Sequence, residues 1–416
     1  MIMKHYFSLF KKIRLCVLPC FFLAACSSDP KQPDPPNDNE NIIPPPINNL
    51  PFRNVSSANL PLSVLRGNSM DAKPADVDKD GDLDLIIAVE FGGNLLLLND
   101  GTGKFSNGAS GRLPQAVHDS EDIAIADFDG DDDLDVIFVS EDDRTNEFYL
   151  NDGSGRFTDA TSRLGVSGTS NAVLTADLDD DGDFDLLIGN NGQNFLLLND
   201  GAANFSNETA ARLPSRRDTT QDLELGDVDG DGDLDLLVGN EDDNRLLVNT
   251  GGGFFADSTS DRLPLESGLE ETREADFGDV DNDGDLDIFF ANVMFIPGKN
   301  PQNRLLLNDG RGFFSDVTST NLPISTFHTA DGDFVDIDAD GDLDLIAANA
   351  FGGDYDVFLN NGSGVFSRKT GDFLPTSATG SGIDIEAADF NGDGLLDLYF
   401  GNFQGADILL LSNGSQ

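Results

Sequence analysis

Seven acidic loops of one design recur along this chain of 416 residues. Each follows the pattern D-x-D-x-D-G-x-x-D, with small departures, and runs directly into an apolar segment. Oxygen ligands at alternate positions, with a glycine at the sharp bend, are what a hard cation such as Ca²⁺ needs. The spacing therefore predicts cation binding, with side-chain oxygens from positions 1, 3, 5 and 9 of each loop and a backbone carbonyl from position 7.

Up to seven Ca²⁺ ions are predicted, one for each loop. The predicted ligand positions, loop by loop, are Asp76, Asp78, Asp80, Asp82 and Asp84; Asp127, Asp129, Asp131, Asp133 and Asp135; Asp177, Asp179, Asp181, Asp183 and Asp185; Asp227, Asp229, Asp231, Asp233 and Asp235; Asp279, Asp281, Asp283, Asp285 and Asp287; Asp336, Asp338, Asp340, Asp342 and Asp344; and Asp389, Asn391, Asp393, Leu395 and Asp397. Position 12 is apolar, as at Ile87 and Val238, whereas an EF-hand needs a bidentate glutamate there and a helix. The loops are therefore predicted to join two strands.

Two loops depart from the pattern. In the second, Asp132 stands where the others have glycine, at a position that often needs a positive φ, which Asp tolerates better than most residues. In the seventh, Asn391 occupies position 3 and Leu395 position 7, so this loop has three aspartates instead of five. Both sites are expected to bind a cation more weakly than the others.

The charge of the chain excludes some partners. Its 76 acidic and 25 basic residues give a formal net charge of −51. A surface this acidic repels nucleic acid and anionic membranes. Because the acidic stretches alternate with strong apolar segments, a disordered chain is not predicted.

The spacing of the loops, about fifty residues, is typical of a β-propeller. Each repeat has four apolar segments, which predict the four strands of one blade. The last repeat stops after Leu409–Leu411 and lacks its fourth segment, while residues 52–61 form a spare fourth segment before the first repeat. The sequence therefore predicts an all-β, seven-bladed propeller with four-stranded blades, closed by an N-terminal strand that completes the last blade and removes an open edge.

The third segment of a repeat ends in Asn-Asp-Gly, as at residues 99–101 and 308–310. Asp-Gly predicts a tight hairpin turn into a fourth strand, which starts at Phe and runs close to a Leu-Pro pair. This order of strands places the acidic loops and the Asn-Asp-Gly turns on one face. The loops between second and third strands, and the connections between blades, lie on the other face, where we expect a partner to bind.

The repeat unit resembles the FG-GAP and VCBS repeats, whose members include the propeller of integrin α-subunits. The resemblance covers residues 52–416 and rests on seven copies of the acidic loop in register. It implies that the loop joins the first and second strands of a blade and binds Ca²⁺.

The N-terminus predicts export and a lipid anchor. Residues 1–25 have a basic start and an apolar run, as in a signal peptide, and Leu23-Ala24-Ala25-Cys26 resembles the bacterial lipobox, which implies lipidation at Cys26. A transmembrane helix is the competing interpretation, but the apolar run has only about half of the ~20 residues needed. Residues 26–51 are proline-rich and predict an extended tether, and Ser27 implies sorting to the outer membrane of the bacterial cell envelope.

A second regularity lies five residues before each loop, at Asp71, Asp122, Ala172, Asp222, Glu274, Asp331 and Asp384. Six of these seven residues are acidic, and they are predicted to begin the innermost strands at the mouth of the central channel. They are either solvated strand ends and caps on neighbouring backbone amides, or a site for a cation or an amine.

The fifth repeat is irregular, because it has an insertion around residues 294–302. Loops of this kind carry function on a rigid scaffold, but insertions are also simply tolerated there. After the predicted signal, the chain has two histidines, His118 and His328, both predicted in connections between blades. No order of residues typical of a catalytic triad and no phosphate-binding loop is present in the sequence.

Three functions remain open. The first is a calcium-stabilised, surface-anchored scaffold that binds a protein or a glycan, and the chain is expected to be a monomer without enzymatic activity. The second is a lectin, although sugar sites usually stack the ring on Trp or Tyr and this chain has no Trp. The third is a polysaccharide lyase or hydrolase, although blades and tether use the whole mature chain.

Overall fold

A computed structural model describes residues 50–64, 67–141, 144–264 and 268–414. The predicted signal peptide, the lipidation residue Cys26 and the tether up to residue 49 lie outside the described residues. Within the described ranges, no helix is long and apolar enough to cross a membrane.

The described residues form 28 strands, and all the strand pairs are antiparallel. The strands are β1 (Phe52–Asn54); β2 (Gly67–Ala75), β3 (Asp84–Gly92), β4 (Leu95–Asn99) and β5 (Phe105–Asn107) in the first blade; β6 (His118–Ala126), β7 (Asp135–Ser140), β8 (Glu147–Asn151) and β9 (Phe157–Asp159) in the second; β10 (Ser170–Ala176), β11 (Asp185–Gly192), β12 (Phe195–Asn199) and β13 (Phe205–Asn207) in the third; β14 (Asp218–Gly226), β15 (Asp235–Asn240), β16 (Arg245–Asn249) and β17 (Phe255–Asp257) in the fourth; β18 (Thr272–Gly278), β19 (Asp287–Asn292), β20 (Arg304–Asn308) and β21 (Phe314–Asp316) in the fifth; β22 (Thr329–Val335), β23 (Asp344–Asn349), β24 (Tyr355–Leu359) and β25 (Ser367–Arg368) in the sixth; and β26 (Gly382–Ala388), β27 (Asp397–Gly405) and β28 (Ile408–Ser412) in the seventh.

The first strands of the seven blades form a closed ring. Each of β2, β6, β10, β14, β18, β22 and β26 contacts the next one, and β26 contacts β2. Seven clusters of buried apolar side chains lie between neighbouring blades, one at each boundary. The hydrophobic core is therefore divided among the blade boundaries, as it is in a β-propeller.

The seventh blade is completed from the other end of the chain, as predicted. Strand β1 pairs with β28, with Phe52 opposite Ser412 and Arg53 opposite Leu411. Phe52 is 2% exposed and belongs to the cluster between the sixth and seventh blades. The amide of Asn413 also donates to the carbonyl of Pro51. The ring is therefore closed by a strand pair and by buried apolar surface.

The fourth strand begins as predicted but ends well before the Leu-Pro pair. This strand has only two or three residues in each blade. In five blades it is followed by a one-turn helix: α1 (Ser56–Asn59), α2 (Thr209–Arg212), α3 (Thr259–Arg262), α4 (Thr318–Asn321) and α5 (Thr370–Phe373), and the second blade has a 3-10 turn at Thr161–Arg163. The reason is local: the side chain of the last strand residue, such as Asn207 or Asp257, accepts the amide two residues on, and this competes with a continued strand.

The hairpin before the fourth strand also differs from the prediction. Between β4 and β5 it is a five-residue loop, in which Gly101 and Gly103 have φ of 76° and 72°. The carboxylate of Asp100 accepts the amide of Thr102, so Asp100 closes the loop through its side chain instead of adopting a positive φ. The two-residue turn predicted from Asp-Gly is therefore not formed.

Candidate functional site

Each acidic loop joins the first and second strands of its blade, as the fourth loop joins β14 to β15. The carboxylate at position 1 closes the loop. In the fourth loop Asp227 accepts the amides of Asp231 at 3.2 Å and Gly232 at 3.0 Å. The same pair of bonds occurs in the other six loops. The sequence pattern therefore produces one backbone geometry seven times.

The bend of each loop has two residues with a positive φ. One is position 6, where Gly232 has a φ of 94° and Asp132 has a φ of 66°, so Asp132 does adopt the conformation that glycine has in the other loops. The other is position 4, where Lys79 and Asp180 have φ near 60°. The sequence analysis missed position 4, although the frequency of Gly, Asn and Asp there was a usable signal.

Position 3 carries the observation that points most directly to a cation. One carboxylate oxygen, Oδ1, is buried and has no hydrogen-bond partner within the described part of the chain in five of the loops, at Asp78, Asp129, Asp179, Asp229 and Asp281. The other oxygen is bound in three of them by an arginine, as Arg262 binds Asp229 at 3.0 Å. A buried oxygen without a donor costs free energy, and a cation in the loop would remove this cost.

The carboxylate at position 9 is the most buried predicted ligand. In the fourth loop Asp235 accepts the amide of Asn249 at 2.8 Å and the amide of Val228 at 3.3 Å. Burial is the main cause that raises the pKa of this position, to about 7 in Asp84, Asp135 and Asp287 and to about 6 in Asp185, Asp235, Asp344 and Asp397. A cation bound beside this group would favour its ionised form.

Position 7 is arranged differently. The side chains of Asp82, Asp133, Asp183, Asp285 and Asp342 lie against the first glycine of the hairpin loop; a Cβ on Gly201 would come within 2.5 Å of Asp183 Oδ2. These carboxylates therefore face the hairpin loop. At position 5 the carboxylate is exposed and accepts the amide of position 7, as in Asp231 and Asp233.

The seventh loop keeps the backbone geometry with fewer charges. Asn391 at position 3 donates to Asp397 at 3.0 Å, and the amide of Leu395 donates to Asp393 at 3.0 Å.

In the first three loops, three carboxylates each offer an oxygen within 4.8 Å of the others: Asp76, Asp78 and Asp84; Asp127, Asp129 and Asp131; and Asp177, Asp179 and Asp185. Several of the acidic loops could therefore hold a metal ion.

The loops are also tied to neighbouring blades. The asparagine that ends the third strand donates from its side chain to the carbonyl at position 2 of the preceding blade's loop. This bond joins Asn99 to Phe390, Asn151 to Val77, Asn199 to Phe128, Asn308 to Val228 and Asn360 to Val280, at 2.7–2.9 Å. The sequence showed the asparagine as part of a turn, and only the structure shows that it links two blades.

The acidic residues five positions before the loops do not begin the inner strands. They lie inside the strands, each next to an irregularity in the strand pairing, as at Asp71, Asp122 and Asp222. Asp122 accepts the amide of Val173 at 2.7 Å and Asp222 accepts that of Ala275 at 3.0 Å. These two carboxylates therefore cap the inner strand of the next blade, as one of the two interpretations expected.

A second layer of charged residues lies two positions further along the inner strands, and the sequence analysis missed it. It consists of Lys73, Glu224, Asp276, Asp333 and Glu386. Burial is the main cause that raises the pKa of Glu224 to about 9, of Glu386 to about 8, and of Asp276 and Asp333 to about 7. Burial lowers the pKa of Lys73, but the carboxylates of Asp71, Glu386, Asp384 and Asp122 outweigh it and raise that pKa.

The insertion in the fifth blade is the eleven-residue loop 293–303, against four residues at the same place in the fourth blade. It is held on both sides. Lys299 donates to the carbonyl of Glu241 at 2.7 Å in the fourth blade, and the amide of Met294 donates to His328 Nδ1 at 3.0 Å before the sixth blade. Burial lowers the pKa of His328, which agrees with an accepting, neutral ring.

Aromatic side chains surround this insertion. The ring of Phe295 lies 4.9 Å from that of Phe351 and 5.5 Å from that of His328. The guanidinium of Arg273 lies 4.9 Å from the centre of the Phe295 ring. Phe351, Met294 and Phe327 are 41, 38 and 37% exposed. We refer to Met294, Phe295, Phe327, His328 and Phe351 as the blade-five patch.

Two solved structures show what the fold is similar to. BBS1N, solved in complex with ARL6DN in crystals soaked with lead or with mercury, is 11% identical; the match covers 87% of this chain and 98% of that chain, with a TM-score of 0.55. A lectin of Agrocybe aegerita, described by its recognition of non-reducing terminal N-acetylglucosamine, is 18% identical over 82% of this chain and 94% of its own, with a TM-score of 0.47. At 11% identity the similarity to BBS1N shows the fold alone. No curated protein matches this chain.

The family of the chain follows from its repeats. The FG-GAP-like repeat matches residues 76–138, 127–188, 177–238, 227–290, 279–347 and 336–400. Each matched segment begins at position 1 of one acidic loop and reaches the strand after the next loop. Together the matches extend over residues 76–400, well over half of the chain. The chain therefore belongs to the FG-GAP-like repeat family.

Proposed function

We propose that this protein is a calcium-binding propeller that acts as a surface-anchored scaffold and binds a protein or glycan partner through the blade-five patch. We choose this surface because of the insertion 293–303. It is hydrogen-bonded to both neighbouring blades and is surrounded by partly exposed aromatic side chains. Loops held on a rigid scaffold are where binding residues concentrate.

Calcium is the cation that best suits the acidic loops. All of the side-chain donors are oxygen atoms, and carboxylates and carbonyls are ligands that Ca²⁺ prefers. Positions 1, 3 and 9 would hold the ion from inside the loop, position 5 from the exposed side, and position 7 through its carbonyl. A bound ion would neutralise carboxylates that are crowded together and would fix the first two strands of each blade.

The distribution of exposed apolar side chains also favours the face opposite to the acidic loops. Of the large apolar residues that are exposed in the described chain, those on the loop face are Phe184, Leu234, Phe254, Phe313 and Val365. Two of them, Phe254 and Phe313, lie beneath the guanidinium groups of Arg212 and Arg262, and Phe327 of the blade-five patch lies 5.5 Å from the guanidinium of Arg368. Among the other exposed apolar residues, Leu62, Phe91 and Val117 belong to the first blade and the connections beside it, whereas Leu269 and Ile324 belong to the connections next to the blade-five patch. An exposed apolar cluster with a polar rim is typical of an interaction site.

The anchor completes the proposal. Lipidation at Cys26 and the proline-rich tether that follows would hold the propeller at the outer membrane of a bacterial cell envelope, where it could reach a partner. Replacing Cys26 by Ser should release the protein from the membrane fraction. A protein that stays in the membrane fraction after this change would contradict the lipid anchor.

The binding proposal is tested with two variants at equivalent places in the repeat. Phe91 and Phe351 both lie seven residues after position 9 of an acidic loop, Phe91 at the end of β3 and Phe351 just after β23. They have φ of 55° and 57° and are 49% and 41% exposed. The wild type, Phe351→Ala and Phe91→Ala should be compared by capture of partners from the native cell surface and by glycan-array binding, with Ca²⁺ and with chelator. We expect Phe351→Ala to lose binding and Phe91→Ala to keep it.

The result that contradicts the scaffold is equally specific. Equal binding by all three proteins would remove the blade-five patch from the proposal. Shortening of a bound glycan during the incubation would show an enzyme instead of a scaffold.

A further inference from the structure

A different group of carboxylates lies in the wall of the central channel, where the chain closes on itself. Asp71 is on β2, the innermost strand of the first blade, and Asp384 and Glu386 are on β26, the innermost strand of the last. Each of the three offers one carboxylate oxygen, and these oxygens lie within 4.8 Å of one another. Asp71 and Asp384 are only 7% and 6% exposed.

At two other places in the ring, the equivalent aspartates have backbone partners. Asp122 and Asp222 each accept a backbone amide from the inner strand of the next blade. At the closure this arrangement fails: Oδ2 of Asp71 and Oδ2 of Asp384 are both buried and have no hydrogen-bond partner among the described residues. Two buried, unpartnered oxygens therefore lie in a cluster of three carboxylates.

Lys73 neutralises the cluster only in part. Its Nζ lies 3.0 Å from Glu386 and 3.3 Å from Asp71, and its side chain is 42% exposed. One ammonium against three carboxylates leaves an excess of two negative charges when all are ionised. Like charges held this close in a buried place are costly unless a cation is bound.

We propose that Asp71, Asp384 and Glu386 form a cation site in the channel wall that takes a hard divalent cation such as Ca²⁺ or Mg²⁺. All three donors are carboxylate oxygens, which suits a hard cation. The ion would connect the first and last inner strands of the ring. Lys73 is the internal counterion with which the cation competes, and its exposed ammonium can turn toward the channel.

This site is independent of the seven acidic loops, so its test compares variants instead of relying on a total count. Ca²⁺ bound per chain is measured on the full-length protein by equilibrium dialysis with the metal alone. We expect Asp384→Asn to bind one ion fewer than the wild type. Lys73→Gln should bind this ion at least about tenfold more tightly, because a competing positive charge a few ångströms away is removed.

The matched control is Asp222→Asn, at the equivalent position of the fourth blade, where the carboxylate already accepts the amide of Ala275. It should bind as many ions as the wild type. The ammonium of Lys73 could keep the cation out of the site in the wild type. In that case Lys73→Gln should bind one more Ca²⁺ ion than the double variant Lys73→Gln, Asp384→Asn. Melting in chelator checks that each variant is folded.

The proposal is overturned if Asp384→Asn removes no ion in either background. It is also overturned if Asp222→Asn removes an ion as well, because the loss would then reflect the charge of the whole channel. If the acidic loops did not bind Ca²⁺, the number of bound ions would fall equally in all of these proteins. The difference of one ion between Asp384→Asn and its parent protein could still be measured.

Discussion

The side-chain amide of Asn308 in the fifth blade donates a hydrogen bond of 2.9 Å to the backbone carbonyl of Val228 in the fourth blade. The backbone amide of Asn308 donates to Asp287, at position 9 of its own acidic loop, also at 2.9 Å. This residue therefore connects a hairpin loop, its own acidic loop and the loop of the neighbouring blade. The equivalent asparagines repeat the link at four other boundaries.

Replacing Asn308 by Ala should lower the stability of the propeller. The change leaves the carbonyl of Val228 buried without a donor, which costs about 1–3 kcal/mol. Urea unfolding in saturating Ca²⁺ measures the difference. The control is Asn204→Ala, since Asn204 is exposed and bonds only to Asp200 within its own hairpin loop. Equal unfolding of the two variants would contradict a link between blades.

Replacing Asp229 by Asn should lower the stability of the propeller much more in Ca²⁺ than in chelator. In Ca²⁺ the variant loses an anionic ligand, so its melting temperature should fall; a site at 100-fold excess over Kd contributes about 2.7 kcal/mol. In chelator the variant loses a repelling charge at a buried oxygen but also the ion pair with Arg262, so its melting temperature should change much less than in Ca²⁺. The experiment is thermal unfolding of both proteins in both buffers.

Asp261→Asn is the control for this experiment, because Asp261 is exposed on the one-turn helix α3 of the same blade. It should behave as the wild type in both buffers. A wild type whose melting temperature does not respond to chelation would refute calcium binding by the loops altogether.

Replacing Phe52 by Ala should weaken the closure of the ring. Phe52 is buried at 2% exposure between the sixth and seventh blades, and truncation of a buried phenylalanine costs about 3–5 kcal/mol. Its neighbour Arg53 points to solvent, so Arg53→Ala is a matched control from the same strand. Denaturant unfolding of the two variants should differ by several kcal/mol. Equal stabilities would show that β1 does not hold the last blade.

The acidic channel predicts an unusual pH dependence in chelator. Burial, together with Asp222, raises the pKa of Asp276 from the ordinary 3.8 to about 7, although the carboxylate accepts the amide of Phe334 at 3.0 Å. Because the folded state holds this proton more tightly than the unfolded chain, the contribution to stability is full below about pH 4 and is lost as the pH rises through about 7. The charged groups near it are Asp222, Asp333 and Glu224. The pKa values of Asp333 and Glu224 are also raised, so these two groups change the stability with pH in the same direction as Asp276.

The chelated protein should therefore melt at a higher temperature near about pH 5.5 than near about pH 8. Asp276→Asn, which cannot ionise but still offers an oxygen to Phe334, should narrow this difference, and Asp261→Asn should not. Melting curves across this pH range decide the question. A wild type that is more stable at the higher pH would contradict the raised pKa values of these buried carboxyl groups.

Repetition made much of the fold predictable. The loop pattern, copied seven times, indicated the number of blades, and the spare segment at residues 52–61 indicated how the last blade is completed; the pairing of Arg53 with Leu411 confirms this. Local chemistry within a strand was less predictable. Asn207 and Asp257 turn the chain into a helical turn after three residues of strand, because a side chain that accepts a nearby amide competes with the ladder.

The sequence by itself determined the backbone of each acidic loop, since its bonds join residues four and five positions apart, such as Asp227 with Asp231 and Gly232. Only the tertiary structure decided what surrounds it. The buried Oδ1 of Asp229, the bond from Asn308 to Val228, and the meeting of Asp71 with Asp384 all depend on residues brought together across blades or across the whole chain. Desolvation and unmet hydrogen bonds arise from such long-range packing, so no local pattern of residues contains them.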